Sequence, residues 1–186
     1  DAKGLAAPRT WDDLLAAARA LTEDLDGDGR IDRYGIVLPL KRDYAVSVFF
    51  LSFLWGNGGH VLDEKGNVVF NSPETVQTME FFKKLYEYAP PGVTDYSWGQ
   101  LVEAYSLGTA AMTIYSGMAP FSAAIRKNPT VADGTALAAI PTRLESQSPA
   151  ARWVTTAWCM FKGIENPELA KEFVKFNERC FVRLLG

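Results

Sequence analysis

Apolar positions Leu14, Leu15, Ala18 and Leu21 recur at three- and four-residue spacing, and predict a helix over 11–22. Thr10 before it and Asp13 three residues on have the logic of a capping box, each side chain able to serve the other's amide. Tyr34-Gly-Ile-Val-Leu38 is a short apolar run stopped by Pro39, a strand pattern. The run 45–55 is too apolar for an exposed helix and is bounded by Gly56, Gly58 and Gly59, which predicts a buried helix ending at glycine. Val61-Leu62 and Val68-Val-Phe70 flank Asp63-Glu-Lys-Gly66, a small hairpin with Gly66 at the left-handed position.

Ser72 and Pro73 open a further helix, as cap and first helical residue, with Val76, Met79, Phe81, Phe82, Leu85 and Tyr86 as its expected buried face. Pro90-Pro91-Gly92 ends that element. A helix is expected over 98–107, stopping at Gly108, then a buried strand over 110–115 and a helix near 120–127. A strand over 136–140 closed by Pro141, a polar crossing over 142–150, a strand over 153–161 and a last helix from Asn166-Pro167-Glu168 to about 180 complete the series. Strands alternate with helices throughout, so the predicted fold class is α/β.

The 186 residues, 48% of them apolar, are long enough for one large domain or one and a half small ones, with apolar residues enough to build a core. The net charge of −3, from 19 basic and 22 acidic residues with no basic block, gives no footprint for a phosphate backbone and argues against nucleic acid as a partner. Residues 44–59 and 104–125 carry no charge, but Gly108, Gly117 and Pro120 break the second stretch, so no transmembrane segment is predicted. The opening Asp1-Ala-Lys-Gly4 has neither a signal peptide nor an initiator Met, as a mature or excised fragment would. Cys159 and Cys180 follow no metal spacing and read as free thiols.

Asp24, Asp26, Asp28 and Asp32 stand at positions 1, 3, 5 and 9 of a calcium loop, with Gly29 at 6 and the Arg30 carbonyl at 7. Alternate oxygen donors around a tight bend suit Ca²⁺, which takes six to eight oxygens, although Gly35 holds position 12 where an EF-hand has a bidentate Glu. The expected role of the ion is structural. The bland alternative is a solvated Asp/Gly turn.

An enzyme finds little support. His60 is the only histidine, beside a glycine-rich helix end, and no nucleophile elbow or phosphate loop accompanies it. A glycosidase needs two carboxylates facing across a sugar, and only Glu103, in the apolar run 101–105, stands apart from loops and polar helix faces. Tyr96, Trp98, Tyr115 and Trp153 sit where loops meet elements, beside Gly, Ser, Thr or Arg. There a flat ring face can be exposed next to polar groups, the combination that a pyranose recognises.

Taken in order, Pro8-Arg-Thr-Trp-Asp-Asp-Leu14, Tyr34-Gly35, Asn57-Gly-Gly59, Asn71-Ser-Pro73, Tyr96-Ser-Trp-Gly99, the segment 108–117, Ala139-Ile-Pro141 and Asn166-Pro-Glu-Leu-Ala-Lys-Glu-Phe173 resemble the maltose-binding-protein-like, carbohydrate-type branch of the solute-binding proteins of ABC transporters. The resemblance implies a type II periplasmic-binding-protein-like α/β fold of two lobes that close by hinge bending on a mono- or oligosaccharide, delivery to a membrane permease, and no catalysis. It implies that 1–140 are most of the second, C-terminal lobe and that 141–186 cross back toward an incomplete first lobe. It also implies an extracytoplasmic location, in a periplasm or as a cell-surface lipoprotein.

By the same resemblance Tyr44, Tyr96 and the segment Tyr115, Ser116, Gly117 and Met118 match sugar-contacting places, with Trp153 and Thr155 near the opposite lobe's contribution. Where the family often has Ser-Gly-Pro-Trp, this chain has Tyr115-Ser-Gly-Met118, without the stacking Trp. The Asp-rich loop resembles a calcium loop of some members. Competing readings are a calcium-dependent interaction module, a glycoside-acting enzyme using Glu103, and a binding protein for a non-sugar solute, with Arg152 as the candidate cation.

Overall fold

The computed structural model describes residues 4–115, 119–151 and 159–185, of 178–185 the backbone alone. The chain divides into two compact units, Asp1–Arg152 and Trp153–Gly186.

The first unit runs α1 (Trp11–Ala20), β1 (Tyr34–Val37), α2 (Tyr44–Gly56), α3 (Pro73–Tyr86), a 3-10 turn (Val93–Asp95), α4 (Trp98–Leu107), β2 (Ala110–Thr113), α5 (Ala119–Lys127) and α6 (Pro129–Asp133). β1 and β2 pair in parallel, Tyr34 opposite Ala110 and Val37 opposite Thr113, so the helices between them form the long crossover that parallel strands require. The fold class is α/β, as expected. β2 ends at Thr113, short of the expected 115, because its partner strand ends at Val37 and runs into Pro39, which has no amide to donate.

α1 begins where the capping box predicts. Thr10 Oγ1 accepts the Asp13 amide at 3.2 Å and the Asp13 carboxylate accepts the Thr10 amide at 2.9 Å. Trp11, Leu14 and Ala18 on its buried face meet Ile36 and Val37 of β1, Phe53 of α2 and Phe81 of α3 in one core. The Trp11 ring stacks on Phe81 at 4.4 Å and 15°. α1 lies so close to β1 that a Cβ on Gly35 would stand 1.8 Å from the Ala18 carbonyl oxygen.

α3 buries a different stripe from the expected one. Thr75, Thr78, Phe81, Phe82 and Leu85 are inside, while Val76, Met79 and Tyr86 are 50%, 50% and 45% exposed. The expected list combined two stripes that one helix cannot bury together, and the Phe81–Phe82–Leu85 side carries the larger volume. Thr78 joins it cheaply because its hydroxyl donates to the Glu74 carbonyl at 2.7 Å.

No strand forms over 136–140. A strand exists only where a neighbour presents free amides and carbonyls, and among the described residues nothing pairs with this stretch. The nearest ladder contact is Thr142 with Thr10, where the Trp11 amide donates to the Thr142 carbonyl at 2.8 Å. The segment before it holds α6 instead, capped by Asn128 with Pro129 in its first turn.

In the second unit, 153–158 of the expected strand lie outside the described residues, and 159–161 are in no strand. α7 spans Pro167–Leu185. Cys159 is exposed and free. Among the described residues no helix is long and apolar enough to cross a membrane.

Candidate functional site

Parallel strands send their continuations out of one end of the sheet, where binding sites of open α/β sheets assemble. Here β1 continues through Leu38–Asp43 into α2, and β2 continues through Ile114 to Tyr115. Asp43 sets the start of α2 by accepting the Ala45 amide at 2.8 Å, which leaves Tyr44 on the first turn, 57% exposed. A third segment reaches the same end. Pro90-Pro91 and Gly92, the latter at φ 77°, turn the chain into the 3-10 element, after which the Tyr96 carbonyl accepts the Lys41 amide at 3.0 Å. The Ser97 amide then donates to Gln100 Oε1 at 3.1 Å and opens α4 at Trp98.

Trp98 is the hub of the aromatic cluster. Its ring lies 5.4 Å from Phe49 of α2 and 5.1 Å from Tyr115, the latter edge-on at 79°. Partial burial pushes the Tyr115 phenol above its ordinary pKa of 10.0, so it stays a neutral donor and acceptor across the physiological range. Asp43 is held below its ordinary 3.8, chiefly by the Ser97 side chain; desolvation, the next largest effect, opposes this, and the Ala45 amide and Lys41 add smaller downward pulls. The result is half-buried rings beside an ionised carboxylate.

Of the residues singled out from sequence, the fold therefore brings Tyr44, Tyr96, Trp98 and Tyr115 to one end of the sheet. Ser116, Met118, Arg152, Trp153 and Thr155 lie outside the described residues. Lys41, Arg42 and Asp43 share that end and escaped sequence reading, because a Lys-Arg-Asp run in a polar loop looks like any solvated turn. The signal was available in Asp43, a good N-cap residue directly before an apolar helix.

The Asp-rich loop is closed at its base by an antiparallel bridge and an ion pair between Glu23 and Arg33. Asp24 accepts the Gly27 and Gly29 amides at 2.7 and 2.8 Å, and those glycines sit at φ 81° and 88°. Asp24, Asp26 and Asp28 present oxygens all within 4.8 Å of one another, exposed to solvent. Asp32 lies outside this trio, with its carboxylate accepting the Leu25 amide at 2.6 Å. Three hard oxygen donors at this spacing fit a calcium-sized ion, with Asp32 acting on the loop.

Glu103 is more than half exposed and pairs with Lys127 at 3.0 Å, which is not the apolar setting that a glycosidase acid needs. His60 is also exposed.

The model of the family described as bacterial extracellular solute-binding protein matches residues 1–176. Over 113 residues, 61% of this chain and 25% of its relative, the chain is 29% identical to YcjN of Escherichia coli strain K12, named as an ABC transporter periplasmic-binding protein. Among solved structures it is similar to maltose-bound MalE3 of T. maritima, at 30% identity and a TM-score of 0.64 over 74% of this chain and 34% of that one. It is also similar to an ABC transporter solute-binding protein of Agrobacterium radiobacter K84 in complex with ribitol, at 34% identity and a TM-score of 0.53 over 60% and 27% of the two chains. The chain thus spans about a quarter to a third of the length of these relatives. The chain belongs to the bacterial extracellular solute-binding protein family, whose model matches nearly its whole length.

Proposed function

We propose that this chain is part of the substrate-binding component of an ABC transporter, which captures a carbohydrate or polyol outside the cytoplasm and hands it to a membrane permease. The observation that carries this reading is the cluster of Tyr44, Tyr96, Trp98 and Tyr115 at the end of the sheet where both strands finish. Aromatic faces stack on sugar C–H groups while hydroxyls and carboxylates take the sugar's hydroxyls. The relatives bound to maltose and to ribitol support the ligand class. The family is one of transport binding proteins rather than an enzyme class. In this reading residues 1–140 supply most of the second lobe and 141–186 lead back to the first. The protein works in a periplasm or at the cell surface as a lipoprotein. Ca²⁺ held by Asp24, Asp26 and Asp28, with the Arg30 carbonyl and Asp32 completing the loop, stiffens the turn between α1 and β1 and takes no part in binding.

The experiment is calorimetric titration with maltose and with ribitol of this chain and of the longest polypeptide that carries it. Saturable binding that Trp98→Ala weakens at least about tenfold is expected, as for a central aromatic anchor. Binding that is indifferent to Trp98, or no binding of any saccharide or polyol, overturns the reading.

A further inference from the structure

A groove of about 520 Å³ runs along the solvent side of α4, a size within the range of small-molecule sites. Tyr96 stands at one end, where the 3-10 element gives way to α4, and Thr109 at the other, just before β2. Between them Gln100, Glu103, Ala104 and Leu107, at three- and four-residue spacing, form one wall from a single stripe of the helix. Tyr96 also belongs to the aromatic cluster, so the groove continues the candidate binding site. Gly99 lies in the groove, in the first turn of α4, without the left-handed backbone that would require glycine. Glycine weakens a helix relative to almost any other residue, and no neighbour demands it here, since a Cβ would meet no atom within 4 Å. The other helix glycine among the described residues, Gly56, has Ala150 and Thr142 atoms at 3.8 and 3.9 Å from that point. The space over Gly99 is therefore left clear at a cost to the helix and filled by nothing in the protein. The polar groups along it are only partly committed. Gln100 Oε1 accepts the Ser97 amide, leaving the Nε2 protons; Glu103 Oε1 accepts from Lys127 at 3.0 Å, leaving Oε2; Thr109 Oγ1 donates to the Ala104 carbonyl at 2.8 Å and can still accept. From this geometry we propose that the groove is an extension subsite, holding the sugar rings that follow those on the aromatic cluster, so that the site favours an oligosaccharide longer than maltose. The proposal rests on the binding role assigned to Tyr96 and its aromatic neighbours.

Calorimetric titration of the longest polypeptide that carries this chain with maltose, maltotriose and maltotetraose tests it. The readout is the ratio of affinities, which a general loss of fold or of binding does not mimic. Maltotetraose is expected to bind about tenfold tighter than maltose, because each added ring brings its own hydrogen bonds. Gly99→Leu puts a strong helix former where no atom stands in its way, so it should raise the Tm while filling the groove and bringing the ratio to about one. Gly99→Ala should also raise the Tm, and its methyl is too small to close the groove, so the ratio should persist. A ratio near one in the native protein overturns the subsite, as does a tenfold ratio that survives Gly99→Leu. A lower Tm in Gly99→Leu overturns it too, since the protein itself would then need that space. Maltose binding that Trp98→Ala weakens, without any gain from longer chains, removes the subsite and leaves the aromatic site standing. Binding of none of the three saccharides overturns the binding role of the aromatics and the subsite with it.

Discussion

Arg143 Nε donates to Asn57 Oδ1 at 2.7 Å across 86 positions of sequence. Asn57 is buried at the end of α2, and its Nδ2 donates to the Glu74 carbonyl and to Gln77 Oε1, both at 3.2 Å. One side chain thus ties α2, the first turn of α3 and the segment that follows Pro141. Removing the guanidinium with Arg143→Ala leaves a buried acceptor without its partner, at a cost of about 1–3 kcal/mol. Urea unfolding should show that loss, and hydrogen exchange should quicken at the Trp11 and Thr142 amides, which hold the same segment to α1. Unchanged exchange there would show that the Thr10–Thr142 bridge alone suffices.

Gly35→Ala should be among the most damaging single changes. Its Cβ would meet the Ala18 carbonyl oxygen at 1.8 Å and carbon at 2.5 Å, backbone atoms that no rotamer can move. A loss above about 3 kcal/mol is expected, beyond ordinary overpacking. Because the obstacle is main chain, Ala18→Gly should not rescue it. Rescue by that second change would place the clash in the wrong atoms.

Acid should destabilise the first unit in a defined window. Asp13, Asp24, Asp43, Asp63 and Glu74 are all held below their ordinary values, Asp13 chiefly by the Thr10 amide and Asp24 chiefly by the Gly29 amide. With folded values below unfolded ones, their contribution is complete above the ordinary 3.8 of Asp and 4.5 of Glu and is lost as pH falls through the folded values. A Tm profile that stays flat below about pH 4.5 would contradict this. Tyr115 acts at the other end. Its raised pKa favours the folded state up to the ordinary 10.0, and that contribution is lost as pH rises through the folded value. A late phase in the alkaline absorbance titration should vanish in Tyr115→Phe.

Calcium should raise the Tm by mass action, and chelator should reverse the rise. Asp26→Asn is the clean test, because its amide oxygen can still accept the Asp28 amide, at 3.0 Å in the native loop, while the ligand charge is gone. A calcium-induced rise that persists in Asp26→Asn would move the ion elsewhere.

Local chemistry was legible in the residues themselves. Thr10 with Asp13, Ser72 with Pro73, and Gly108 after Leu107 each mark a helix end through groups within a few positions, and α1, α3 and α4 begin or end there. The turn at Gly66 and the Leu62–Val68 bridge are likewise local. Family membership was legible too, since it rests on the order and spacing of motifs. What needed the tertiary structure was every choice between equivalent surfaces. Val76, Met79 and Tyr86 could have been buried as readily as Thr75 and Thr78 until Trp11 claimed Phe81. Residues 136–140 have the composition of a strand and lack a partner, and pairing is a property of two segments. The Lys41 amide finds the Tyr96 carbonyl only in the folded chain, where the loop after β1 meets the segment before α4. Capping and turn energies are decided within one or two turns of chain, whereas burial, ladder pairing and the grouping of Tyr44, Tyr96, Trp98 and Tyr115 depend on which distant atoms share a volume, and only the folded backbone fixes that.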